Sequence, residues 1–170
     1  MSTPALTPDD GSDYSGSSDS FIENVKENDA LDFLMTLFPH HGLSALPYSR
    51  SVTISAPNMG VEFHGVVLTV PGKPKTLYVD GKSAQSVNLR ERLESFCHRC
   101  FLSTNFECSI EALLDLADEA LGCNSLIIIL ERSSPNLGSV LHSLMYVGGI
   151  VVTKPVYKID PAYVLVGLEI

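Results

Sequence analysis

Residues 126–130 read Leu-Ile-Ile-Ile-Leu, an aliphatic run with no polar alternation. A strand with one wet face alternates apolar and polar side chains. A strand without alternation has to be covered on both faces, so it belongs inside a sheet with layers on either side. The run is the longest of its kind in the chain and falls far short of the roughly 20 apolar residues that cross a bilayer. Read as a buried strand over Asn124 to Leu130, it places the chain among folds with helices packed on a sheet.

The flanking segments agree. Val52 to Ala56, Gly60 to Val70 and Thr76 to Asp80 are rich in Val, Ile, Phe and Tyr and read as strands. The turn Gly72-Lys73-Pro74-Lys75 makes the last two an antiparallel pair. Asn88 to Phe101 reads as a helix, with Leu89, Leu93, Phe96, Cys97 and Cys100 on one face and an Asn88/Glu91 capping box. Thr104 and Glu107 give a second capping box before a stronger helix. In it Phe106, Ile110, Leu113, Leu114, Ala117 and Leu121 keep an apolar stripe until Gly122.

Ser134-Pro135 opens the next helix, with Leu137, Val140, Leu141 and Leu144 inward and Gly148-Gly149 at its end. Ile150 to Thr153 and Ala162 to Leu168 are the last strands. The strands at 124–130 and 150–153 enclose one helix and are expected to form a right-handed parallel unit. The expected fold is α/β (α+β), a mixed sheet packed with two to three helices.

The chain has 170 residues, 45% of them apolar, enough for one core without disulfides. Its formal charge of −9 disfavours nucleic acid and anionic lipid. That charge is uneven. Residues 1–30 hold seven acids and one base, −6, leaving 13 acids against 10 bases, −3, for the rest. Residues 1–30 read as a disordered acidic tail, Ser- and Asp-rich at its start, because such a segment buries too little to offset its ordering entropy. Leu31, Leu34, Met35 and Phe38 give a short helix before Pro39, followed by a loop over 39–50; 31–48 is then helix and linker, and 49–170 the folded domain. No secretory signal is visible, and four sparse cysteines suit a reducing compartment, cytosol or nucleus.

Few residues suggest chemistry. Cys97-His98-Arg99-Cys100 has the spacing of half a zinc site. No second close pair accompanies it, and both thiols fall on a predicted apolar face, so buried thiols are the simpler reading. His40, His41 and His64 belong to no nucleophile pattern, and neither a P-loop nor a GxGxxG is present; no metal and no cofactor are expected. A phosphorylated interaction module working through the Ser/Asp tract at 10–20 is a weaker alternative.

The informative element is the helix at 105–121. It carries Glu107, Glu111, Asp115, Asp118 and Glu119 and no Lys or Arg. At about 100° per residue these acids share an arc of about 120°. Acids at i, i+4 repel, and Asp118 and Glu119 sit at the helix end that prefers bases. The plain reading is a solvated face; the functional one is a docking face for a basic partner, with Leu116 beside it as an apolar anchor.

The run Ala112-Leu113-Leu114-Asp115-Leu116-Ala117-Asp118-Glu119-Ala120-Leu121 resembles the acidic-helix signature of the ornithine decarboxylase antizyme family. The family's order continues through Leu126–Leu130, Leu141 and Leu144, Gly148 or Gly149, Val151-Val152, Pro155, Pro161 and Val166-Gly167-Leu168-Glu169. The resemblance covers about 107–170, and Leu77-Tyr78-Val79 extends it weakly. It implies a fold like a GNAT acetyltransferase without the activity, and no Arg/Gln-x-x-Gly-x-Gly/Ala loop for coenzyme A is found here. An acyl-CoA-dependent acetyltransferase is the alternative that this missing loop disfavours.

What the resemblance implies is a non-catalytic inhibitor. It would bind the ornithine decarboxylase monomer as a 1:1 heterodimer, block homodimerisation and send the enzyme to the proteasome without ubiquitin. Polyamine uptake would also be repressed, and synthesis would depend on a polyamine-induced +1 ribosomal frameshift. Asp115, Asp118 and Glu119 fall on positions acidic in the family that face a basic element of the decarboxylase; Glu111 is not reliably acidic there, and Glu107 falls where animal members can carry Lys. Residues 81–104 have no counterpart in the animal proteins, and the helix expected at 88–101 reads as a lineage-specific, fungal-type insertion. Neither nucleic acid nor membrane insertion is expected.

Overall fold

The computed structural model describes residues 27–56, 61–82 and 105–170. The acidic stretch before residue 27 and the expected helix at 88–101, with its Cys-x-x-Cys, lie outside them.

Among the described residues six strands form one mixed sheet: β1 Ser49–Ala56, β2 Val61–Leu68, β3 Thr76–Asp80, β4 Ser125–Glu131, β5 Ile150–Val151 and β6 Tyr163–Glu169, in the order β1-β2-β3-β4-β6-β5. β1, β2 and β3 run antiparallel in sequence, as the turn at Gly72 requires. β3 and β4 are the one parallel neighbouring pair among them, with Leu77 opposite Leu126 and Val79 opposite Ile128.

The expected parallel unit is met in the direction of its two strands, but they are not neighbours. β6 pairs antiparallel with both β4 and β5, so β5 runs in the direction of β4 but is separated from it by β6. The C-terminal strand takes the place beside β4 because its longer apolar run pairs over seven residues, whereas β5 offers two.

Among the described residues the helices are α1 Glu27–Leu37, α2 Gly42–Ala45, α3 Asn105–Asp115 with its direct helical continuation Leu116–Ala120, and α4 Leu137–Tyr146. A 3-10 turn, Leu46–Tyr48, leads into β1. The pleat of the sheet sorts the core into two layers. On one face Val52, Ile54, Phe63, Val67, Leu77 and Val79 join Leu126, Ile128 and Leu130 beneath α3 and α4. On the other, Val66, Leu68, Tyr78, Ile127, Ile129 and Leu165 meet Ala30, Leu34, Leu37 and Phe38 of α1 and the residue after it. β4 is therefore covered on both faces, as its composition demands, and Leu126 to Leu130 are all buried.

Three boundaries differ from expectation. α1 begins at Glu27 and Ala30 is buried, so the fold reaches into the stretch assigned to the tail. The expected loop 39–50 contains α2 and the 3-10 turn; Pro47 sits in the first turn of the latter, where its missing N–H is not needed. Ser134-Pro135 forms a turn ahead of α4 rather than its first residues: Leu137 N–H donates to Ser134 O and the helix starts at Leu137. Gly148, at φ 95, lets the chain leave α4.

Tyr78 is 2% exposed, its ring edge-on to Phe38 at 5.8 Å and 83°. Burial, with Tyr157 adding to it, pushes the Tyr78 phenol from 10.0 up to about 12. A folded-state value above the unfolded one means stability intact below pH 10 and lost as pH rises towards 12. The expected loss attached to Tyr78 is about 3 kcal/mol. Urea unfolding between pH 9 and 12 checks this: Tyr78→Phe should flatten that part of the profile.

Candidate docking face

α3 lies on the sheet through Ile110, Leu113 and Ala117, which are buried at helical spacing, with Leu114, Leu116 and Leu121 packed partly against the same cluster. The opposite side carries Glu111, Asp115, Asp118 and Glu119, all exposed. The structure thus puts these four acids on one element and on its outer side. The side chain of Glu107 lies outside the described set. Leu116 is half-buried against the core, so only part of it is free to meet a partner.

The helix does not keep one pitch. After Asp115 it widens into a π-helical turn, Leu116–Ala120, in which Leu121 N–H donates to Leu116 O at 3.1 Å. Gly122, at φ 59, then reverses the chain and donates to Asp118 O at 3.0 Å. Cys123 N–H reaches back six residues to Ala117 O at 2.7 Å. This is a Schellman-like ending enlarged by one residue. Gly122 is the stop that the sequence announces; the π turn is not announced by any residue pattern.

Asp118 and Glu119 sit where a helix prefers cations. The cation comes from elsewhere in the fold. Lys75, in the turn before β3, extends its Nζ to donate to Leu121 O at 2.5 Å. The same turn is fastened by Lys75 N–H to Asn124 Oδ1 at 3.2 Å and Asn124 N–H to Lys75 O at 2.7 Å. Lys75 is the residue that sequence reasoning missed, because its contact spans 46 positions.

The other candidates do not assemble into a reactive centre. Cys123 is a buried free thiol whose pKa is raised by burial against an opposing pull from Lys75. His41 stacks on Tyr157 at 5.5 Å and 25°. His64 is exposed on β2, its Nε2 3.9 Å from Glu62 Oε1. His64 also lines a cleft of about 430 Å³ between α1 and the sheet, with Asp32, Phe33, Ser51 and Tyr163. No group of three or more metal-ligating side chains occurs among the described residues, and no helix there is long and apolar enough to cross a membrane. What α3 offers is electrostatic: exposed carboxylates fixed on a packed helix, suited to meeting a basic surface.

Comparison with known proteins covers most of the described fold, the acidic helix included. Residues 53–165 match the profile of the family described as ornithine decarboxylase antizyme. A protein named ornithine decarboxylase antizyme from Schizosaccharomyces octosporus is 29% identical over 109 residues, 64% of this chain and 39% of the relative's length. Among solved structures, an acetyltransferase from Agrobacterium tumefaciens str. C58 aligns over 84% of each chain at 14% identity and a TM-score of 0.34, too low to carry an argument.

Proposed function

The chain belongs to the ornithine decarboxylase antizyme family, and from that premise we propose that it is a non-catalytic protein that binds and inhibits ornithine decarboxylase. The exposed acids Glu111, Asp115, Asp118 and Glu119 dock a basic element of the decarboxylase, and the free part of Leu116 serves as an apolar anchor. The complex is a 1:1 heterodimer with the decarboxylase monomer. It removes monomers from the homodimer, and the captured enzyme is handed to the proteasome without ubiquitin. Polyamine synthesis falls as a result, polyamine uptake is repressed in addition, and the site of action is the cytoplasm. The observation that supports this reading is the acidic outer side of α3, within the segment that matches the family.

Sedimentation with the cognate decarboxylase tests it. Titration should convert the enzyme dimer into a species of one decarboxylase plus one copy of this chain, with activity falling in step. An enzyme that stays dimeric and active at a several-fold excess of this chain rejects the proposal.

A further inference from the structure

We propose that Lys75 is a positioning residue for the acidic docking face: it holds the π turn that aims Asp118 and Glu119. This rests on the docking role given to α3 above. Asp115 lies in the regular part of the helix, whereas Asp118 and Glu119 lie inside the π turn. A turn closed five residues apart instead of four changes both the rise and the rotation between these groups. The spacing of the acids offered to a partner is therefore set by the π turn, not by helix periodicity alone.

A π turn is intrinsically uncommon and persists where its surroundings fix it. Here the fixing groups come from one place. Lys75 Nζ holds Leu121 O at 2.5 Å, immediately after the turn. Its backbone exchanges bonds with Asn124 through Oδ1 and N–H. At the next position Thr76 Oγ1 and Ser125 Oγ lie 3.0 Å apart where β3 and β4 begin their parallel register. The helix exit is thereby tied to the sheet at its central strands. Lys75 is half-buried, so its stem packs while its ammonium caps the carbonyl end.

Charge alone and positioning predict opposite signs. Removing a cation next to an acidic face makes the face more negative, which by itself tightens a basic partner. Releasing the π turn lets Asp118 and Glu119 drift from their partners, which weakens it. Lys75→Met keeps the apolar stem and deletes the donor; Lys75→Arg keeps charge and donor.

The test measures binding of the full chain to the cognate decarboxylase for wild type, both Lys75 variants and a charge-reversed acidic face, with amide exchange of Leu121, Gly122 and Cys123 in the unbound protein. We expect Lys75→Met to weaken binding about tenfold, through faster dissociation, and to speed exchange at those amides. Lys75→Arg should stay within about threefold of wild type, since it can still cap Leu121 O. Lys75→Met binding as well as or better than wild type, while charge reversal abolishes binding, overturns the positioning role and leaves the docking face standing. Undiminished binding by the charge-reversed protein overturns the docking face, and the role of Lys75 with it.

Discussion

Reversing Asp115, Asp118 and Glu119 together to lysine should weaken binding to the decarboxylase by at least about 100-fold at low ionic strength, close to 3 kcal/mol. Each change removes an attraction to a basic surface and adds a repulsion. Exposed pairs taken singly are worth well under about 1 kcal/mol, but charges grouped on one rigid face act together. The loss should appear largely in the association rate, since the face steers the encounter, and it should shrink as salt rises past about 0.1 M, where the screening length falls to about 10 Å.

The same substitutions should not harm the fold. Glu111–Asp115 is a like-charge pair one turn apart on an exposed surface of the regular helix. Asp118 and Glu119 oppose the helix dipole, and cations there are favoured by about 0.3–1 kcal/mol each, less the repulsion from nearby Lys75. The melting temperature should hold or rise while binding is lost. That divergence separates a docking role from a structural one. A variant that melts early and binds weakly would point instead to damage in α3, and one that binds normally would remove these acids from the interface.

How much of this was written in the sequence depends on the range of the interaction. The central strand was readable because five aliphatic residues in a row admit one environment. The acid row was readable because helical periodicity is a local rule, and Gly122 because only a left-handed residue ends a helix in that way. The strand order was not. Val164 to Leu168 and Ile150-Val151 have similar composition, and which of them lies beside β4 is decided by pairing length across the finished sheet. The π turn and its anchor were equally hidden. Lys75 stands in a turn that reads as turn chemistry alone, and its bond to Leu121 O exists only after β3 and β4 have paired in parallel. The acids at the wrong end of a helix were the one trace of it: an uncompensated dipole in the sequence asks for a cation from another part of the fold.

Ile128→Ala should cost about 4 kcal/mol, within the 2–5 typical of a buried Ile truncated in a core. Ile128 is 1% exposed and stands at the crossing of both directions in the sheet, opposite Val79 in the parallel pair and Val166 in the antiparallel one. Its side chain lies in the layer under α3 and α4, with Leu113, Ala117 and Leu144. Neighbours fixed by strand pairing on two sides cannot collapse into the space, so the cavity remains and the cost sits in the upper part of the range. A domain with about 5–15 kcal/mol in hand loses much of its margin. Ile150→Ala, on the edge strand and 69% exposed, is the control and should change stability by less than about 0.5 kcal/mol. Denaturant midpoints measure both. Because the layer that loses Ile128 is the floor on which α3 rests, the acidic face should fail at the same denaturant concentration as the sheet. If partner binding survives after the sheet signal is gone, α3 holds its docking geometry independently of the core.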